Sequence, residues 1–425
     1  MHIDRAALLR NMMGEIDSVQ PSRSTVLLTS LAVVTMTSIG MSTFSLFMPP
    51  IQAEFGWSRA MATVPYTAAM IGWAVGAVLF GKLADDFGVR RVILGGVALM
   101  ALGFLGMGVS RNLWELVLTY GLMTGLAMGA CGLSIVSLLV SKHFEASDRG
   151  FAVSVIQAAP PFSALLFPPL LYLLMFTFDW RVAALASGVL LACVAVPLAW
   201  LGARDPQHLA GASRTGERAG WAECLPYLRD RRMIVLFAAR VSCGIAFFQI
   251  AHLVAFTLSK GFNAAAGATA VSVFGGAAIG SALLFGWLSD RYGRARMLGL
   301  SYLVRGLGTL LLAANFSSEF WFFIAVGVAI GPTFGTVAIQ NVMFYEMVGP
   351  RLAGVVLGLS FIVHQFGAAG GPMVASMAFD RTGSYDGFML VMAGILIVAG
   401  LLVLGISGPD ARMQRRVLAP SASAS

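Results

Sequence analysis

Gly81-Lys82-Leu83-Ala84-Asp85-Asp86-Phe87-Gly88-Val89-Arg90-Arg91 and Gly286-Trp287-Leu288-Ser289-Asp290-Arg291-Tyr292-Gly293-Arg294-Ala295-Arg296 are two copies of one pattern, 205 residues apart (286 minus 81). Each copy separates two long apolar runs. The correspondence extends upstream, where Gly56-Trp57-Ser58 falls on Gly261-Phe262-Asn263 and Phe80 falls on Phe285. A 425-residue chain that repeats itself at half-length is an internal duplication, and the apolar flanks place both copies in a membrane.

Composition supports that placement. Hydrophobic residues make up 58% of the chain and charged residues 11%, against roughly 25% charged in a soluble domain. Mean hydropathy is +0.82. The net charge of +8 comes from short basic clusters between apolar runs, the distribution of the positive-inside rule rather than of a nucleic-acid surface. Cys131, Cys193, Cys224 and Cys243 have neither metal nor disulfide spacing and read as small apolar fillers. Gly76 to Lys82 resembles a phosphate loop, but Leu83 replaces the required Ser or Thr and no strand precedes it. No enzyme, metal or cofactor is expected, and nothing suggests ATP as the energy source. Met1 to Ser24 lacks an apolar core followed by a small-residue cleavage site, so the first span itself is expected to direct insertion.

A span needs ~20 apolar residues, and twelve runs qualify: 26–50, 61–80, 92–110, 114–141, 150–177, 182–203, 233–258, 265–285, 297–315, 319–345, 352–378 and 387–407. The expected fold is an all-α membrane protein of two pseudo-symmetric six-helix bundles. Pro160-Pro161, Pro168-Pro169 and Pro332 should interrupt the fifth and tenth spans. The side holding both termini carries 21 of the 28 basic residues, so both termini are expected in the cytoplasm. The division is 1–24 as an N-terminal segment, 25–203 as the first bundle, 204–232 as a cytoplasmic linker, 233–407 as the second bundle and 408–425 as a tail. A short surface helix is expected near Trp221 to Leu228 in the linker. Gly121, Gly125 and Gly129 line one face of the fourth span, as Gly327, Gly331 and Gly335 do in the tenth. Small residues at this spacing let helix backbones approach closely.

With its doubled Gly-x-Leu-x-Asp-x-x-Gly loop after the second and eighth spans, the chain resembles the major facilitator superfamily over residues 25–408. The resemblance implies a secondary transporter that alternates access around a midplane cavity. It implies a cytoplasmic gate in which Gly81, Asp85, Gly88, Arg90 and Arg91, and Gly286, Asp290, Gly293, Arg294 and Arg296, form the motif. Asp85 and Asp290 would each lie near a facing helix N-terminus and a basic residue, latching the outward-facing state, with the arginines anchoring the loops. Within the superfamily, Glu54 to Arg59, Arg149-Gly150-Phe151-Ala152, Asp380 to Tyr385 and His252 resemble the monocarboxylate and oxalate–formate branch. Gly121, where drug–proton antiporters carry Arg, argues against drug efflux. The uncharged stretch Ser272 to Phe285 departs from the branch, which often carries an Arg there.

Ionisable residues inside a membrane cost ~2.5–3.5 kcal/mol on insertion scales and are functional candidates for that reason. They are Arg240 and His252 on the seventh span, Arg305 on the ninth and His364 on the eleventh. The fold analogy places spans one, four, seven and ten at the cavity and span nine toward lipid. It favours Arg240 and His252 as substrate residues and leaves Arg305 to packing. Two readings are open for Arg240, snorkelling to the interface or facing the cavity. Twelve residues separate it from His252, so one small ligand reaches both only if the helix breaks, with Gly244 a candidate break. Gln249 is expected on the same face as His252, and Gln157, Gln340, Asn341 and Gln365 are uncharged hydrogen-bonders at plausible depth. Thr35, Ser38, Ser42 and Ser45 give the first span a hydroxyl stripe whose alternative role is bonding back to its own helix. No Asp or Glu lies mid-span, so proton coupling would fall to His252 or His364, or to the substrate's own acid group.

The expectation is therefore a monomeric carrier of a bacterial inner membrane. Its partners would be a small anionic substrate (a mono- or dicarboxylate or an aromatic acid), protons and the lipid bilayer, with no nucleic acid. The alternatives are a neutral or amphiphilic nutrient such as a vitamin, read from Phe44, Phe47, Phe247 and Phe248, or a substrate exchanger or exporter.

Overall fold

The structure is a computed structural model that describes residues 21–204 and 221–406. The segments 1–20, 205–220 and 407–425 lie outside the described residues, and with them most of the predicted N-terminal segment, linker and tail. Among the described residues every regular element is helical.

The first bundle consists of α1 (Arg23–Phe55), α2 (Arg59–Phe87), α3 (Val89–Val109), α4 (Leu113–His143), α5 (Ser147–Thr177) and α6 (Trp180–Gly202). The second opens with α7, Arg231–Ala251 continued by Leu253–Ser259. It goes on through α8 (Ala264–Tyr292) and α9 (Arg294–Ala313). A 64-residue helical run, Glu319–Thr382, turns at Gly349 (φ 74°, ψ 175°) and so divides into α10 (residues 319–348) and α11 (residues 350–382). The last span, α12, is Asp386–Leu404. Helix α9 is made less apolar by Arg294, Arg296 and Arg305. Leu283, Leu307, Trp321, Val391 and Leu401 are exposed large side chains around the outside of the second bundle, as a lipid-facing surface requires.

Several spans are interrupted where the sequence anticipated it. A break at Ala158 precedes Pro160 in α5, and another at Gly331–Pro332 divides α10. Pro168 and Pro169, by contrast, sit inside a continuous helix. Beyond those expected, α1 is broken at Ser38 and Thr43, and α4 contains a widened turn over Val117–Thr124. Close backbone contact accounts for the glycine stripes. A Cβ added at Gly129 would stand 2.3 Å from the carbonyl carbon of Gly76, and one at Gly125 would stand 2.5 Å from the Ala69 oxygen, so α4 lies directly on α2. Gly331 and Gly335 bring α10 onto α8 in the same way. The short helix Trp221–Leu228 precedes α7.

The two bundles meet chiefly through antiparallel pairs, α2 with α11 and α5 with α8. Along the first pair, contacts run from Asp380 on Arg59 and Ala60, through Ser376 on Thr63 and Thr67 on the Ala369 carbonyl, to Gln365 on Met70 and Phe361 on Trp73. Beyond that point the helices separate. Gly354, Gly358, Phe361 and Gln365 share one face of α11 at i, i+4, i+7 and i+11, yet a Cβ at Gly354 or Gly358 would meet nothing within 4 Å. The same openness surrounds Gly81, Gly280 and Gly286. The molecule is closed at the face holding Arg59 and Asp380 and splayed at the face holding the repeated loops.

Candidate substrate site and gates

Arg240 stands nine residues into α7, ~14 Å from the loop face at 1.5 Å per residue. Its Nε donates to Ser360 Oγ on α11 at 2.9 Å, and its Nη2 donates to Asn341 Oδ1 on α10. The side chain is 4% exposed, so it turns into the bundle and does not snorkel. Asn341 therefore belongs with Arg240. Gln340 does not join them: its Nε2 donates to the Leu236 carbonyl at 2.6 Å and ties α10 to α7.

Arg305, on α9, is the residue that sequence reasoning set aside. It is fully buried, and its Nη1 donates to Cys243 Sγ at 3.3 Å, one turn along α7 from Arg240. Its Nε and Nη2 have no hydrogen-bond partner. Among the described residues no carboxylate pairs with either arginine. A readable signal existed: Tyr302, Arg305 and Thr309 make a polar stripe at i, i+3 and i+7 in an otherwise apolar helix. Such a stripe must face protein rather than lipid. Tyr302 donates to the Ala239 carbonyl at 2.6 Å and Thr309 accepts from Gln249 Nε2 at 2.8 Å, so the whole stripe faces α7.

Gln249 and His252 do not share a face, contrary to expectation. The α7 helix is interrupted at Ala246–Phe247 and again at His252, where φ is −111°, and i, i+3 geometry is lost between them. Gln249 turns toward α9, whereas the His252 ring turns across the bundle boundary. Its Nδ1 lies 2.8 Å from Tyr385 Oη, and its Nε2 lies 3.3 Å from both Thr63 Oγ1 and Ser376 Oγ. Gly244 serves as a contact point, with the break just after it: a Cβ there would lie 2.2 Å from the His364 carbonyl of α11. His364 is buried against Phe247, with ring centroids 4.7 Å apart, and its Nδ1 meets Gln365 Oε1 at 3.0 Å while Nε2 has no partner. Gln157 is exposed at the α5 break. In α1, Ser38 and Ser42 bond back to Val34 and Ser38 carbonyls, Ser42 also meets Ser163 of α5 at 3.1 Å, and Thr35 and Ser45 are buried without partners.

The repeated loops turn at Gly88 (φ 87°) and Gly293 (φ 97°), a left-handed conformation that the motif glycine alone adopts without strain. The contacts of the second loop lie within its own bundle. Asp290 lies 3.8 Å from Arg294 of its own loop, and Arg294 pairs with Glu346 of α10 in the same bundle. In the first loop Arg90 lies over the Trp200 ring of α6, 5.6 Å from its centroid, an anchoring contact within the first bundle.

The all-helical membrane fold is borne out by comparisons with known proteins. The Major Facilitator Superfamily profile matches residues 30–282 and 253–422. The chain belongs to the Major Facilitator Superfamily. Human monocarboxylate transporter 11 is 28% identical over 372 residues, covering 83% of this chain and 74% of that one. The 3-(3-hydroxy-phenyl)propionate transporter of Escherichia coli (strain K12) is 25% identical over 355 residues, covering 82% and 85%. Among solved structures, a bacterial homolog of the human lysosomal transporter Spinster superposes with a TM-score of 0.72 at 16% identity, covering 91% and 97%, which establishes the shared fold. The chain is a multi-pass membrane transporter of this superfamily and not an enzyme.

Proposed function

We propose that this superfamily member carries a small organic anion, a mono- or dicarboxylate or an aromatic acid, into the cell together with a proton. The observation that carries this reading is the pair of buried arginines, Arg240 and Arg305, with no carboxylate partner among the described residues. Fixed positive charge in a low-dielectric interior is costly unless balanced, and the substrate's own carboxylate supplies the balance. Arg240 is the primary contact because Ser360 and Asn341 hold its guanidinium at the level where α7, α10 and α11 converge. His252 is proposed as the coupling residue rather than a substrate ligand, since its partners lie in the closed gate. The similarity to carriers named for monocarboxylates and for a phenylpropionate supports the anion class. Both termini are assigned to the cytoplasm of a bacterial inner membrane by the distribution of basic residues, and the monomer is taken as the working unit.

The test is thermal stability of the purified chain against a panel of carboxylates, aromatic acids and neutral vitamins. A ligand at 100 times its dissociation constant stabilises by ~2.7 kcal/mol. A shift from an acid that disappears in Arg240→Gln is expected. A shift from neutral compounds only, indifferent to that substitution, overturns the anion reading and favours the amphiphilic nutrient.

A further inference from the structure

At the closed face one acid reaches from the second bundle to the first. Asp380, at the end of α11, accepts the backbone N–H groups of Arg59 and Ala60 at 2.9 Å each, one on each carboxylate oxygen. Those amides are the first donors of α2, and no carbonyl of that 29-residue helix can satisfy them. Ser58 serves the next amide, of Met61, at 3.2 Å. The cap of α2 is therefore split between its own bundle and the opposite one. Around it, the Arg59 guanidinium lies 3.6 Å over the Phe379 ring, and its Nη1 donates to Tyr385 Oη at 2.8 Å and to the Ala255 carbonyl at 3.4 Å.

We propose that Asp380 is a latch for the closed face: it caps α2 only while the bundles are shut there, and so biases the transporter toward the state open at the repeated loops. A carboxylate on a helix N-terminus is favoured by both the unpaired N–H groups and the helix dipole. Opening this face withdraws the carboxylate and leaves the Arg59 and Ala60 amides to water. Because α2 and α11 are antiparallel, Asp380 at the end of α11 reaches the start of α2 while this face is shut, and Asp85, near the end of α2, would reach the start of α11 only with the loop face shut. Each acid can engage only when its own face is shut. Asp380 thus gives the closed face what the repeated motif gives the loop face, although no second copy of the motif marks it.

The inference rests on the alternating-access part of the proposed function and not on the identity of the substrate. Its test needs no substrate, so the two can fail separately. Met48→Cys places a thiol beside Thr63, under the latch, where Met48 is fully buried. Gly358→Cys places one on the open face of α11. Each reporter is labelled with a membrane-impermeant maleimide, against the parent carrying its native cysteines. Asp380→Asn should raise labelling at Met48→Cys about tenfold, equivalent to ~1.4 kcal/mol, and lower it at Gly358→Cys. Asp380→Glu, which keeps the charge, should fall between. Unchanged labelling at Met48→Cys overturns the latch. So does a rise at both reporters, which marks general loosening in place of a shift between states.

Discussion

At the scale of single residues, the two arginines make opposite demands on stability and function. Arg305 is buried with two unpartnered donor atoms. Replacing a buried ion pair with apolar side chains of similar volume is often neutral or stabilising by ~1–4 kcal/mol, and a guanidinium without an acidic partner forgoes no Coulombic attraction when it is replaced. Arg305→Met should therefore melt at the same temperature as the parent or higher, while losing the stabilisation that an acid ligand confers. A melting temperature several degrees lower would instead make Arg305 a structural clamp on Cys243. His252 makes a different demand. Tyr385 Oη accepts from Arg59 and so offers its own proton to His252 Nδ1. Thr63 and Ser376 share their two protons among the Arg59 and Pro372 carbonyls, at 2.8 Å each, and their mutual contact at 2.7 Å, so either oxygen is left to accept from Nε2–H. The closed gate suits the neutral ring, and a second ring proton would confront the Tyr385 hydroxyl proton. His252→Gln should flatten the pH dependence of uptake, and an unaltered pH profile would remove His252 from coupling. Arg240 and Asn341 were each legible as polar groups at depth, but not as partners of one another. Arg305 was not legible as a site residue, because the fold analogy assigned its span to lipid and outweighed the polar stripe beside it.

Helices bring a second set of constraints, in which backbone proximity outweighs side-chain character. Gly129 and Gly280 both belong to small-residue stretches of long apolar helices. A Cβ at Gly129 would meet the α2 backbone at 2.3 Å, whereas one at Gly280 would meet nothing within 4 Å. Overpacking a tight contact typically costs ~1–3 kcal/mol. Gly129→Ala should therefore lower thermal stability and Gly280→Ala should leave it unchanged; equal effects would show that the α2–α4 contact yields more easily than its geometry implies. The helix count and the loop turns could be read from sequence because hydropathy and glycine report on solvent and local backbone. Of the two breaks in α7, the one at Ala246–Phe247 lies just past Gly244, the candidate break that the sequence offered, whereas the one at His252 had no local signal. His252 is not a helix breaker by itself, and its ring is held by Tyr385, Thr63 and Ser376. That is why Gln249 and His252, neighbours on a regular helix, face different partners.

For the whole molecule, duplication supplies two bundles and the α2–α11 contacts record which way the cavity opens. Sequence alone established the repeat but not the state, since both states use the same helices. Loop parity put Glu54 to Arg59 and Asp380 to Tyr385 on one side of the membrane, but gave no sign that they touch. Glu54 clasps Trp180 and Arg181 within the first bundle, at 2.6 and 2.7 Å, while Arg59, Asp380 and Tyr385 join the two bundles. The central claim is that an anion supplies the charge that Arg240 lacks. Uptake of labelled carboxylates into proteoliposomes holding the full chain, with an inward proton gradient, tests it most directly. Accumulation of an acid by the parent, abolished in Arg240→Gln and absent for neutral analogues of the same shape, is the predicted result. Equal uptake of the neutral analogue, or full activity without Arg240, would contradict it.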